Sequence, residues 1–287
     1  MKKRKGLTLF EGIFVIAVFF FLFSVLKHPR PNPLIVARVK CMKNLQQLGA
    51  AMASYANSYD GYFPQLPGNG PWSKGLGFDY FIEKPDFVPN AAGANTSRTI
   101  TASWYLLIKY GDLLPKTFIC PAQDNITEFD GSNPNKKIIQ SLWDFGPDPY
   151  KHVSYSMHNP YGKFPAHKNR AAAFAIAADM SPYFNNGELI QINSEYHFYN
   201  IDVTKPYSHQ LLNSPNHDCS QNILYIDSHV ENQQYPDAGV KQDNIFTYWS
   251  EKRDNDPNEL YRKVGQPPTG RDQENDAKSE DDSFLAI

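Results

Sequence analysis

The chain has 287 residues, 41% hydrophobic and 14% aromatic, which is enough to fill a core of about 200 residues. Its 28 Lys and Arg against 30 Asp and Glu give a formal net charge of −2, and no basic stripe lies beyond the first few residues, which argues against a dedicated nucleic-acid binder. Gly-x-Ser-x-Gly, Walker, His-Glu-x-x-His and Cys-x-x-Cys motifs are all missing, so the sequence reads as a non-enzyme without a cofactor.

Lys2, Lys3, Arg4 and Lys5 precede an apolar run from Leu7 to Leu26 that is broken by one carboxylate, Glu11. At about 1.5 Å per helical residue the run spans roughly 30 Å, the thickness of a bilayer's hydrocarbon core, and predicts a transmembrane helix over 7–26. The basic flank predicts a cytoplasmic N-terminus with the remainder outside. No Ala-x-Ala cleavage site follows, so hydropathy alone reads the segment as an uncleaved signal anchor. A carboxylate in such a helix costs about 2 to 3 kcal/mol when central and less near an end, which points to a functional role for Glu11.

Lys5-Gly6-Leu7-Thr8-Leu9-Phe10-Glu11 resembles the leader of type IV prepilins and type II secretion pseudopilins: basic residues, Gly, an apolar first mature residue, Thr-Leu, and Glu at the fifth mature position. Leu7 and Phe10 stand where that family most often has Phe and then Ile or Val. The resemblance implies a leader over 1–6, cleavage after Gly6 by a prepilin peptidase and N-methylation of Leu7. It also implies that Glu11 pairs with a neighbouring subunit's amino terminus in a filament. The partners it implies are the peptidase, other pilin or pseudopilin subunits and the bacterial inner membrane. The place it implies is that membrane, crossed once, with the globular domain periplasmic or at the cell surface.

Pro29, Pro31 and Pro33 remove amide donors and predict a break over 27–33. From Leu34, the residues Ile35, Val36, Val39, Met42, Leu45, Leu48 and Met52 recur at helical spacing and predict an amphipathic stem helix over 34–58. The stretch Cys41-Met42-Lys43-Asn44-Leu45-Gln46-Gln47-Leu48-Gly49, followed by Gly61-Tyr62-Phe63-Pro64, is similar to a bacterial subgroup of prepilin-like proteins named for a C-terminal His, nine residues, then Asp-Gly. Here His217 is followed by nine residues and Asp227-Ser228. If the family's Gly holds a turn with φ above zero, Ser228 takes a less comfortable conformation or a different turn.

Residues 59–250 read as a globular α+β domain, the stem helix packing on a small antiparallel sheet with long loops, as in pilins. Ala171 to Ala178 and Asn222 to Val230 are the best strand candidates. Three cysteines in an exported domain suggest one disulfide and a leftover thiol. Positions matching the family favour Cys41 with Cys120, worth about 4 kcal/mol in the chain-entropy model, and leave Cys219 free or intermolecular; other pairings, or none, stay open. Tyr183, Phe184, Tyr196, His197, Phe198, Tyr199 and Tyr207 form either core or a ligand surface. Residues 265–283 contain no aromatic or branched aliphatic residue, and 251–287 is expected to be a polar, disordered tail.

His217, Asp227 and His229 are the one chemistry-like cluster, suited to Zn or a similar divalent ion; more often, a His and an Asp flanking a turn hydrogen-bond backbone groups. Asp202 and Asp218 are further oxygen donors without a calcium-loop spacing. The resulting expectation is a membrane-anchored prepilin-like subunit of a type II secretion or type IV pilus-like assembly. Its alternatives are a monomeric surface-binding module for a glycan or peptide, and a metal-dependent hydrolase centred on His217, Asp227 and His229.

Overall fold

The structure, a computed structural model, describes residues 8–26, 32–75, 81–84, 98–190, 212–217, 220–252, 256, 259–272 and 274–287. The chain divides into two compact units, Met1–Val36 and Ala37–Ile287.

In the first unit, α1 (Leu9–Leu26) is an 18-residue helix. Among the described residues no helix is long and apolar enough to cross a membrane, which corrects the transmembrane, single-pass and inner-membrane expectations. The physical reason lies in length. Over the described residues α1 rises roughly 27 Å at about 1.5 Å per residue, with Glu11 in its first turn, against the roughly 30 Å of a hydrocarbon core. Of the Pro-rich break, residues 27–31 lie outside the described residues. Asn32 and Pro33 instead open the next helix: Asn32 Oδ1 accepts from Leu34 N at 3.0 Å and Pro33 takes the first helical position, where no amide donor is needed.

That helix, α2 (Pro33–Ser58), crosses into the second unit and buries Cys41, Leu45, Leu48, Met52 and Ala56, a stripe at three- and four-residue spacing. Its stop is made by Gly61, which donates to Ala56 O at 2.8 Å with a φ of 88°. A second helix of this unit, α3 (Ile100–Gly111), is capped by Thr99, whose hydroxyl accepts from Ala102 N at 2.9 Å.

The strands are β1 (Tyr155–His158), β2 (Ala175–Asp179), β3 (Phe184–Asn185), β4 (Glu188–Leu189), β5 (Gln221–Tyr225), β6 (Val230–Gln233) and β7 (Leu285–Ala286). Five of them form one antiparallel sheet in the order β6-β5-β2-β1-β7, and β3 with β4 makes a separate hairpin. The α+β class with a small antiparallel sheet is what the structure shows; the transmembrane part of that expectation is what it overturns.

The candidate strand from Asn222 to Val230 is in fact two, β5 and β6, joined by a turn in which Ser228 has a φ of 72°. A residue with a Cβ is strained there. Along the inner face α2 meets the sheet closely: a Cβ added at Gly49 would lie 2.6 Å from Leu224 Cδ1. Gly49→Val is therefore expected to destabilise the second unit by about 2 kcal/mol through overpacking, read as a lower urea midpoint at unchanged slope.

The described residues between 259 and 287 do not form a disordered tail. A one-turn helix, α4 (Leu260–Lys263), is followed by a loop whose Asn275, Asp276 and Asp282 are buried, and β7 then pairs with β1. The polar residues that suggest disorder by composition serve as internal ties: Asn275 Oδ1 accepts from Thr269 N at 2.6 Å, Asp276 Oδ2 from Lys163 N at 3.1 Å and Asp282 Oδ2 from Trp249 N at 3.0 Å.

Candidate functional site

Two places carry the residues singled out by sequence. The first is the start of α1. Thr8 and Glu11 are three apart, and each caps the other: Glu11 Oε2 accepts from Thr8 N at 2.8 Å and from Thr8 Oγ1 at 2.9 Å, while Glu11 N donates to Thr8 Oγ1 at 3.4 Å. This is a capping box, which satisfies donors that the first turn leaves open. Beyond it, twelve large apolar side chains from Leu9 to Phe23 are exposed by 40% to 86%. They point in all directions around α1, so no polar face shields the helix. Gly6 and Leu7 lie outside the described residues.

The second place is buried under the sheet end. Cys41 comes from α2, Cys120 from the turn after a short helical stretch at Pro115–Phe118, Asp179 from the last position of β2, and His217 from the turn before β5. Cys41 and Cys120 are joined in a disulfide with a Cα–Cα separation of 5.2 Å, closing the 79-residue separation between helix and turn. His217 Nε2 lies 3.6 Å from Cys120 Sγ and 3.5 Å from Asp179 Oδ2.

Asp179 is oriented by two amides, its Oδ2 accepting from Asn222 N at 2.7 Å and its Oδ1 from Asn216 Nδ2 at 3.4 Å. Burial pushes its carboxyl up to about 7, against those hydrogen bonds, which favour the charged form. Among the described residues, the donor atoms of Cys41, Cys120, Asp179 and His217 all lie within 4.8 Å of one another, and all four side chains are buried.

Asp227 and His229 are not part of this group. They sit on the exposed β5–β6 turn, where His229 N donates to Asp227 Oδ1 at 3.2 Å, the imidazole pairs with the same carboxylate, and its ring stacks on Tyr225 with centroids 4.5 Å apart. The expected trio of His217, Asp227 and His229 is thus split between a buried cluster and a surface turn. Asp227 and His229 do what the bland reading of a turn requires: they bind backbone and each other.

Asp179 was given no site role from the sequence. Its signal was a carboxylate closing the small-residue strand Ala175–Asp179, where burial on both sides requires a partner. Of the aromatic run, Tyr183 and Phe184 are core, while positions 196–207 lie outside the described residues, as do Cys219, Asp202 and Asp218. A cleft of about 410 Å³ opens beside the β3–β4 hairpin, lined by Gln123, Asp124, Asn125, Tyr150, Phe184 and Asn186 among others.

Comparison with models of known families, with curated proteins and with solved structures finds no match to this chain.

Proposed function

We propose that the chain is a pilin-like assembly subunit, in which α1 packs against α1 of further copies and the second unit is the displayed head. The observation that carries this reading is the exposed apolar circumference of α1 with one carboxylate in its first turn. Each such side chain left in water forgoes about 1.5 to 3 kcal/mol of burial, and a helix with no polar face needs covering on all sides. Copies of the same helix supply that cover in a helical array, since a head-to-tail interface that does not close grows as a filament. The likeness of residues 5–11 to a prepilin leader supports the same reading: hydrolysis of the Gly6–Leu7 bond leaves a free amine, and Glu11 offers that amine of a neighbour a carboxylate.

An N-terminal mass spectrum of the protein from its host tests this. A chain beginning at N-methylated Leu7 is the expected result, and an uncut terminus contradicts processing by pilin machinery. Glu11→Ala removes the carboxylate without touching the head and is expected to lower the yield of cross-linked multimers about tenfold or more, a loss of about 1.4 kcal/mol per contact. Unchanged multimers would sink the assembly role of Glu11.

The cleft beside the β3–β4 hairpin favours a second reading, a surface-binding module. Its amide and carboxylate side chains next to Tyr150 suit the hydroxyls and apolar face of a sugar. Glycan binding that survives Glu11→Ala and is lost in Asn186→Ala would favour it.

A further inference from the structure

We propose that Cys41, Cys120, Asp179 and His217 form a thiol-redox-gated zinc site: the disulfide occupies it when the chain is oxidised, and one Zn²⁺ occupies it when the two sulfurs are reduced. The inference goes beyond assembly and does not depend on it.

Four donors of the right kinds converge. Two sulfurs, an imidazole nitrogen and a carboxylate oxygen make a set that suits four-coordinate zinc. At Zn–S distances near 2.3 Å and Zn–N or Zn–O distances near 2.0 Å, tetrahedral donors stand about 3.3 to 3.8 Å apart. The Nε2 of His217 already has Cys120 Sγ at 3.6 Å and Asp179 Oδ2 at 3.5 Å, and the whole set lies within 4.8 Å. Opening the disulfide lets the sulfurs part toward the same spacing.

The donors come from four different segments, so the fold itself, not one local turn, brings them together. Asp179 is held by Asn222 N on Oδ2, the oxygen that faces His217, and by Asn216 Nδ2 on Oδ1, the outer hydrogen bonding that orients a ligating carboxylate. A disulfide alone asks for neither an imidazole nor a carboxylate beside it.

The exchange balances. A phosphine reductant supplies two electrons and takes an oxygen from water, becoming the phosphine oxide, while the S–S bond breaks and two thiols form. Zn²⁺ then displaces the two thiol protons. Reoxidation by a disulfide-bearing oxidant returns two electrons to that oxidant, closes Cys41 to Cys120 and expels the metal.

The test uses the full chain, reduced with tris(2-carboxyethyl)phosphine and titrated with Co²⁺ and then Zn²⁺, against the oxidised chain. Expected for the reduced chain are the visible bands of tetrahedral cobalt, a near-ultraviolet thiolate-to-cobalt band and one Zn²⁺ retained per chain; the oxidised chain gives none of these. Asp179→Asn and His217→Ala are each expected to weaken Co²⁺ binding about tenfold or more. If reduction unfolds the chain, circular dichroism should show Zn²⁺ restoring the fold, because metal bound only by the native state stabilises it. Reduced chain that stays folded without the cobalt bands, unfolded chain that Zn²⁺ does not rescue, or bands indifferent to both Asp179→Asn and His217→Ala would each overturn the site.

Discussion

Deleting residues 283–287 is expected to abolish the cooperative unfolding transition of the second unit. Phe284, Leu285 and Ala286 are fully buried and Ile287 is 4% exposed. The segment also answers backbone groups elsewhere: Asn159 N donates to Phe284 O at 2.9 Å, Leu285 N to Ile245 O at 2.8 Å, and Ser283 N to Asp243 Oδ2 at 2.7 Å. Losing three large apolar side chains costs about 1.5 to 3 kcal/mol each, before the orphaned hydrogen-bonding groups are counted. The sum is comparable to the roughly 5 to 15 kcal/mol that holds a whole domain. Circular dichroism during heating would read the result, and a truncated chain melting close to the full chain would show that β7 contributes nothing to the sheet.

The stability that Asp144 contributes is expected to be lost as pH rises from about 4 to 7, and Asp144→Asn to remove that component of the pH profile. Asp144 is wholly buried at the start of α3, its Oδ2 accepting from Thr99 Oγ1 at 2.6 Å and Thr101 Oγ1 at 3.1 Å and its Oδ1 from Phe145 N at 2.9 Å. Burial outweighs these bonds and pushes the carboxyl up to about 7. A raised carboxyl keeps its proton in the folded chain while the unfolded chain has lost it. Its contribution is therefore complete below the unfolded value near 3.9, declines as pH climbs to about 7, and is flat above.

About three units at 1.36 kcal/mol each amount to about 4 kcal/mol over the window. Asp179, raised to about 7 by burial, and the buried pair Asp243 and Asp282, both raised by burial, slope the same way, whereas His158, lowered to about 4 by burial, slopes the opposite way between about pH 4 and 6.5. Asn resembles the protonated acid in shape and cannot ionise. Urea midpoints at pH 5 and pH 8 for both chains check this, and an Asp144→Asn profile parallel to that of the original chain would refute the assignment.

What the sequence disclosed, and what it hid, follows from which signals are periodic. The stem helix was legible because apolar residues recur at helical spacing against polar neighbours, and α2 buries Leu45, Leu48 and Met52 of that pattern, whereas Ile35 and Val39 are exposed and the buried stripe runs through Cys41 instead. Helix α3 was hidden because it is buried nearly all round: from Ile100 to Ile108 every residue is inside, so no contrast marks a face. Its one local signature, Thr99 as cap, is easily lost beside a long loop.

The apparent tail misled for the opposite reason. Composition weighs apolar area, whereas Asn275, Asp276 and Asp282 hold their segment by hydrogen bonds to backbone, and only the final apolar residues anchor it. The length of the N-terminal apolar run was legible but not the share that Thr8 and Glu11 take for capping. His217 was legible as a chemical residue. Its neighbours were not, because Asp179 and the cysteines are brought to it by strand pairing and by the packing of α2, not by spacing along the chain.

The order of strands in the sheet also sets a timetable for synthesis. On one side β1 pairs with β2, about 20 residues later in the chain, and on the other with β7, about 130 residues later. While a ribosome makes the intervening segment, both cysteines and α2 have already emerged, yet one edge of β1 has no neighbour. An uncovered edge of that kind is a template for wrong pairing. Nascent chains stalled between β6 and β7 should therefore be the ones that chaperones retain, with release following translation of Leu285 and Ala286.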